Sequence, residues 1–385
     1  SYFTWFTFNC ASGTNLINPT PLELSYLGDV PITVAGNSGS QFFYSTYIDY
    51  SMSGSNKDIF KITGTCVGAS LKNSFDTRYA PKQPLSSTNV PVLPLEETVY
   101  ITVSSNVNDV VPAIHATPDS ARTQASSKVF FDDWRPDWGD GSLLGNSPFE
   151  RTAALFQKLY DYGMTDLNIL YYMNAKLGRD CGYPDLIPSN SAFGGSAGII
   201  TMAQKAGLLG YNLGLDITFD MGHLHNYSSY ISTISSDFAK DTSGNSLVAW
   251  NNSFCTLSPI GYILKTNKRL DYARLEFNEA VSFGEAPLTS VFADVYTSKA
   301  FYGSLDYSSD GQFGSTMKQA YGDLLLLLKF QKASYGSNGP IVGEGRGDYT
   351  STTRYFAPVV TATEAEIFNG ENAPLIPDYE LRMIK

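Results

Sequence analysis

The sequence predicts an α/β protein, a (β/α)8-type (TIM) barrel preceded by an N-terminal β-sandwich. Three observations carry that expectation. Residues 1–111 read as short strands broken by Gly, Pro, Asn and Ser, with no helix-period segment. Residues 128–385 alternate strand-like and helix-like segments, the pattern of βα units around a parallel sheet. Between them, residues 112–127 carry Pro112 and Pro118 among small polar residues and read as a linker. A chain of 385 residues accommodates a barrel of roughly 250 residues and one smaller domain.

In the N-terminal region the strand-like segments are 31–34, 41–50 and 98–103. In the last, Val99, Ile101 and Val103 alternate with Tyr100 and Thr102, as in a strand with one buried face. In the barrel region, residues 128–131 form the first strand. Ser147, Pro148 and Glu150 then supply an N-cap, a proline at the first helical position and a capping-box acid, opening a helix that Gly163 closes. A strand at 166–172, a Pro- and Gly-rich loop, a helix at 199–206 ended by Gly207 and a strand at 213–219 make the clearest βαβ unit. A helix over 267–282 leads to the strand of Asp294 (291–297), and a helix over 315–333 joins it to the strand of Glu344 (339–345). A strand-like segment at 373–381 closes the series at about six to eight strands, with an open doubly wound sheet as the alternative. No outer helix follows that segment within the chain, so association through the barrel edge with another copy or another protein is a partner to expect.

Composition narrows the function classes. The net charge of −11, without a Lys/Arg-rich run, argues against nucleic acid or an anionic membrane surface and for a neutral or cationic ligand. Only 16% of residues are charged, while Tyr (25) and Phe (23) are abundant. Aromatic faces of this kind pack against sugar rings, and core packing accounts for them equally well. The longest purely apolar stretch, 324–328, is far short of the roughly 20 residues of a membrane span. The chain starts at Ser1 rather than Met, which suits a processed, secreted protein and equally a truncation. Of three possible cysteine connectivities, the simplest is one disulfide per domain, Cys10 with Cys66 and Cys181 with Cys255. Sequons at Asn226 and Asn251 fit a glycosylated extracellular or cell-surface protein.

The most specific chemistry lies in two carboxylates on consecutive βα repeats, Asp294 in Val291-Phe-Ala-Asp-Val-Tyr-Thr297 and Glu344 in Gly339-Pro-Ile-Val-Gly-Glu-Gly345. Glycoside hydrolysis needs one carboxylic acid to protonate the leaving oxygen and a second carboxylate to attack or stabilise the anomeric carbon. In a barrel, catalytic residues come from the C-terminal ends of different strands. Neighbouring strands about 4.8 Å apart bring two such acids within the roughly 5–5.5 Å of a retaining mechanism. Like charges that close push the two pKa values apart, leaving one nucleophile and one general acid.

Around this pair, Asp132, Asp133, Trp134 and Trp138 follow the first strand, where acids bind hydroxyls and a Trp offers a stacking face; a plain surface loop is the other reading. Tyr171, Arg346 and Asp378 stand at or beyond strand ends as further substrate contacts. Asp216 and Asp220 bracket the end of the third strand, and His223 and His225 follow. These are also metal-ligand types, yet such a pair more often forms the hydrogen-bonding edge of a pocket, and neither metal nor cofactor is expected. Gly194-Gly-Ser-Ala-Gly198 matches the nucleophile-elbow pattern. That elbow requires a strand directly before Ser196, whereas residues 184–193 read as loop, so the glycines are read as opening a helix.

From Lys128 to Tyr379 the chain resembles the barrel of glycoside hydrolases of the endo-α-N-acetylgalactosaminidase type and their uncharacterised relatives. The resemblance rests on an Asp in an aromatic-x-Asp-Val-aromatic strand, Asp294 here, and a Glu in a following strand, Glu344 here. It implies Asp294 as nucleophile and Glu344 as acid/base of a retaining enzyme acting on an α-linked sugar of a glycan or polysaccharide. Residues 131–134 and the His223–His225 loop depart from the pattern, and the family's C-terminal domains are absent. The reading from another class is a non-catalytic barrel serving as a carbohydrate-binding or structural glycoprotein of an extracellular assembly.

Overall fold

A computed structural model describes residues 32–37, 40–48, 60–63, 72–75, 99–106, 109, 127–133, 147–172, 174–178, 181–224, 234–241, 243–251, 255, 258–285, 288–294, 296, 306, 317–335, 339–343 and 357–358.

In the N-terminal region, β1 (Ile32–Asn37), β2 (Ser40–Ile48) and β5 (Val99–Ser104) form an antiparallel sheet in the order β1-β2-β5, and β3 (Phe60–Thr63) pairs with β4 (Lys72–Phe75) as a separate hairpin. Strands β1, β2 and β5 overlap the three strand-like segments expected at 31–34, 41–50 and 98–103, and the β3–β4 hairpin was not expected. Val103, expected on a buried face, is 61% exposed. It lies at the end of an edge strand, where the Ser104 hydroxyl donates to Asp109 at 2.6 Å as the chain turns away.

The second region is built on six parallel strands: β6 (Val129–Asp133), β7 (Leu167–Tyr171), β8 (Asn212–Ile217), β12 (Ser290–Ala293), β13 (Ile341–Gly343) and β14 (Ala357–Pro358). They lie side by side in chain order, β6-β7-β8-β12-β13-β14. A doubly wound sheet reverses its strand order at a switch point; none occurs among the described strands. Right-handed crossovers in one unbroken direction put every connecting helix on one face, and the sheet curls away from them. The expected segment at 373–381 lies outside the described residues, whereas β14, at the sheet edge where a proline is tolerated, has too little pattern for the sequence to reveal.

Alternation sorts the strand residues cleanly. Leu167, Ile169, Tyr171, Leu213, Leu215, Ile217, Val291, Ala293 and Ile341 face the helices and join one large core, while Leu170, Tyr172, Phe292 and Val342 form a second cluster on the concave face. The Tyr172 and Phe292 rings, on strands separated by β8, have centroids 4.8 Å apart, so the concave face is curved enough to bring them into contact.

Four helices cover the outer face: α1 (Pro148–Asp161), α2 (Gly195–Leu208), α3 (Thr266–Ser282) and α4 (Met317–Ser334). Helix α1 starts where the capping signal expects, with Ser147 N donating to Glu150 at 3.1 Å, and Gly163 ends the turn at φ 91°. Helix α2 starts at Gly195, ahead of the expected Ile199, because its glycines serve packing. A Cβ on Gly194 would stand 2.5 Å from Ser147 Oγ, and one on Gly198 3.0 Å from Phe149, so both let α2 nest against the start of α1. Ser196 lies in the first turn of α2 behind a short 3-10 turn (Ser191–Phe193) rather than a strand, which removes the nucleophile-elbow geometry.

Two long excursions rise from the C-terminal ends of β7 and β8. The second contains β9 (Met221–His223), β10 (Val248–Asn251) and β11 (Ile260–Ile263), an antiparallel sheet in the order β10-β11-β9 that sequence alternation did not announce. The excursions are fastened together: His223 N donates to Tyr183 O at 2.8 Å, and a disulfide joins Cys181 to Cys255 across 74 positions. Closing a loop of that length restricts the unfolded chain and stabilises the fold by about 2–4 kcal/mol. Cys10 and Cys66 lie outside the described residues. Among the described residues no helix is long and apolar enough to cross a membrane.

Asp220, expected as a substrate contact, forms an ion pair with the scaffold. Its carboxylate meets Arg269 at 2.6 Å with both side chains under 10% exposed, tying the end of β8 to the first turns of α3. Removing one partner strands a buried charge. Arg269→Ala should therefore lower unfolding free energy by about 3–5 kcal/mol, measured by urea denaturation, and an unchanged midpoint would refute this role.

Candidate active site

The concave face is layered. At its lower end Asn212 Nδ2 donates to Asn168 Oδ1 at 2.8 Å, and Ser290 Oγ donates to the carbonyl of Pro340. Gly214 sits beside Ser290, where a Cβ would come within 3.1 Å of its hydroxyl oxygen, a tight contact that glycine avoids where β8 and β12 pair. Above lie Leu170, Phe292 and Val342, each 0% exposed, filling the interior as in a barrel core. Tyr172 and Asp216 stand level with Phe292, at 1% and 2% exposure, and Asp294, 3% exposed, lies one pleat nearer the strand C-termini.

Asp294 is the residue directly after β12. Its N–H donates to Ile217 O at 3.2 Å, and its own carbonyl accepts from Thr218 Oγ1 at 3.2 Å and from Tyr296 N at 2.7 Å. The β8–β12 ladder thus continues one step beyond the strand and then ends in a tight turn, which holds the Asp294 backbone from both sides. Asp216 pairs in register with Phe292, one pleat below Asp294 on the neighbouring strand. On the other side Ala293 pairs with Gly343, and Glu344 is the next residue of the sequence. Glu344 itself lies outside the described residues.

Behind Asp294 the turn sends Tyr296 into the helix layer, where its hydroxyl donates to Gln331 Oε1 at 3.0 Å and accepts from Gln331 Nε2 at 2.6 Å. Burial raises the Tyr296 pKa well above its ordinary value; the Gln331 hydrogen bond lowers it, and the nearby charges of Glu276, Asp294 and Asp216 raise it further. Glu276 on α3 is 3% exposed, and Glu285 beside it accepts from Ser189 Oγ at 2.6 Å. Burial, reinforced by the charge of Glu285, pushes the Glu276 pKa up to about 8.

This has a consequence for stability. Between the ordinary value of 4.5 and about 8 the folded state retains a proton on Glu276 that the unfolded chain has released. The stabilisation from this group is complete below 4.5 and is lost as pH rises towards about 8, with a slope of roughly 1 kcal/mol per pH unit. Glu276→Gln should flatten that dependence and raise stability at about pH 8 relative to about pH 5, read by denaturant unfolding at the two values; parallel slopes would disprove it.

Of the other residues singled out from sequence, Asp132 and Asp133 end β6, in register with Leu170 and Tyr171, and their side chains are not described. Tyr171 does not face the concave side. It packs into the helix layer with its ring 5.9 Å from Phe149, and the adjacent Tyr172 takes the inward position. A one-residue choice of strand phase reverses the face. His223 is fully buried on β9, its ring 5.8 Å from that of Tyr183. Asn251 ends β10 and is exposed. Trp134, Trp138, His225, Asn226, Arg346 and Asp378 lie outside the described residues. Sequence reasoning also missed Asn174 and the Glu276–Tyr296–Gln331 group, which have no motif of their own. Among the described residues no group of three or more His, Cys, Asp or Glu is arranged to hold a metal ion.

No family model matches the chain, and no curated protein sequence does. Solved structures share the fold at low identity. An α-N-acetylgalactosaminidase of Bifidobacterium bifidum in its GalNAc complex aligns with TM-score 0.64 and 13% identity over 98% of this chain and 61% of its own; the ligand-free form gives 0.58 and 15% over 84% and 53%. The GH36 α-galactosidase AgaB of Geobacillus stearothermophilus aligns with TM-score 0.55 and 12% identity over 94% of this chain and 49% of its own. The chain therefore spans about half to three fifths of the length of these glycosidases.

Proposed function

We propose that this protein is a retaining glycoside hydrolase acting on an α-linked galactose-type sugar, galactose or N-acetylgalactosamine, of a glycan or polysaccharide. The observation that carries this reading is Asp294, held by three backbone-directed hydrogen bonds at the C-terminal end of β12, on the strand next to the one that Glu344 follows. The likeness in fold to α-galactosidases and an α-N-acetylgalactosaminidase supports the α linkage and the sugar class. In the proposed reaction the Asp294 carboxylate attacks the anomeric carbon as the glycosidic C–O bond breaks, and Glu344 gives its proton to the leaving oxygen. Glu344 then takes a proton from water, which displaces Asp294 and releases the sugar with its α configuration kept. Ala293 and Gly343 are partners on the neighbouring strands β12 and β13, and Asp294 and Glu344 are the residues that follow them in the sequence. Tyr172 and Phe292 pack as an apolar layer beneath Asp294, and in this reading Asp216 is an acceptor for a sugar hydroxyl.

The same reading takes residues 1–111 as a β-sandwich, 112–127 as a linker and 128–385 as a barrel completed beyond the six described parallel strands. Secretion fits the Cys181–Cys255 disulfide, since such bonds persist in oxidising compartments, and the exposed Asn251 suits glycosylation. The test is a panel of aryl α- and β-glycosides, with the first-formed anomer identified by NMR. Turnover of an α-galactoside or α-N-acetylgalactosaminide giving the α-anomer first is the expected result. Inactivity on every α-glycoside, or a β-anomer appearing first, would overturn the proposal.

A further inference from the structure

Asn174 follows β7 at the rim of the concave face, two residues beyond the inward-facing Tyr172. Its backbone carbonyl accepts from Asn190 N at 3.3 Å, which anchors the main chain there to the far end of the loop. The side chain is 2% exposed, yet Oδ1 has no hydrogen-bond partner. Buried amide oxygens are nearly always satisfied, and leaving one bare is destabilising. The pleat that turns Leu170 and Tyr172 inward gives Asn174 the same side, and the register in which Tyr171 meets Leu215 and Ile217 meets Ala293, extended past the strand ends, sets Asn174 level with Thr218 and Asp294. Two strand spacings, about 10 Å, separate the Asn174 and Asp294 backbones, with Thr218 on the strand between them.

We propose that Asn174 is a specificity-determining residue whose side-chain oxygen accepts a hydrogen bond from a donor on the bound sugar, a ring hydroxyl or an acetamido N–H. This rests on the glycosidase reading of the same rim. An acceptor that only ligand satisfies discriminates strongly, because a sugar lacking the donor leaves it bare in the complex too. It also places a group that is neutral at all working pH values opposite the Asp294 carboxylate, so recognition adds no charge beside the nucleophile.

The test compares wild type with Asn174→Leu, which keeps the shape and removes the orphaned oxygen, on aryl α-galactosides, their monodeoxy forms and the α-N-acetylgalactosaminide. Expected results are an unchanged or higher thermal midpoint, a fall in kcat/KM of at least about 10-fold to 100-fold, and coupling: the one donor deletion that cripples wild type costs the variant at most about twofold. Hydroxyl and acetamido sources are told apart by which deletion couples. Losses that multiply independently for every substrate would overturn the inference, as would a drop in thermal midpoint with selectivity unchanged. Should wild type hydrolyse none of these glycosides, the glycosidase reading fails separately. Asn174 is then tested by saturation-transfer NMR with free galactose and N-acetylgalactosamine. Binding by wild type that Asn174→Leu weakens supports it; equal binding, or none to either protein, overturns it.

Discussion

Asp294→Ala is expected to lower kcat/KM on α-glycosides by on the order of 10^4-fold or more, while the protein remains folded. If Asp294 forms the covalent bond to the anomeric carbon, no neighbouring carboxylate among the described residues is level with it to take over that step. Asp216 sits one pleat lower on β8, so its carboxylate is displaced along the strand from the attacking position. The backbone hydrogen bonds to Ile217, Thr218 and Tyr296 use main-chain atoms of Asp294 and survive the substitution, which keeps the rim intact. Removing the carboxylate also opens space for a small nucleophile. Added azide should restore turnover of an aryl α-glycoside and yield the β-glycosyl azide, because azide would attack from the face that Asp294 occupied. A fully active Asp294→Ala enzyme would eliminate the assignment, and azide rescue giving the α-azide would eliminate the geometry.

Glu344→Gln should separate two classes of substrate. With a natural alcohol leaving group the departing oxygen needs a proton, and losing the general acid is expected to cost about 10²–10⁴-fold in kcat. With a leaving group such as 2,4-dinitrophenol, which departs without protonation, the first step should be nearly unaffected and the glycosyl-enzyme should accumulate as a burst. The wild-type pH profile should also lose its alkaline limb in this variant, since that limb reports the proton on Glu344. Equal losses on both substrate classes would assign Glu344 a binding role instead of proton transfer.

Much of the scaffold was legible from local signals. Helix α1 was readable because Glu150 accepts from the Ser147 N–H in a capping-box arrangement, Pro148 fits a first-turn position that needs no N–H, and Gly163 supplies the positive φ that ends it. Strands β7, β8 and β12 were readable because they are buried on both faces and therefore nearly continuous in apolar residues. What misled the reading was phase and tertiary use. Tyr171 and Tyr172 are chemically alike and adjacent, and nothing local says which one the pleat turns to the concave face. The glycines around Ser196 read as a helix opening from sequence, but their close contact with Ser147 and Phe149 is a tertiary feature with no local signal. Asp220 carries the same side chain as Asp216, yet one is consumed by Arg269 and the other stays at the inner rim.

The chain order of residues therefore settled that the second region alternates strand and helix and that Asp294 falls at or near the end of one strand, because propensity, capping and period-two burial act over a few neighbours. Folding in three dimensions decided the unbroken β6-to-β14 strand order, the clasp of the two excursions through Cys181 and Cys255, the burial of Glu276 beside Glu285, and which of two adjacent tyrosines faces inward. Those depend on contacts between residues tens of positions apart, whose strength comes from burial and from the exclusion of water, and neither quantity exists until the sheet has curled and the helices have closed over it.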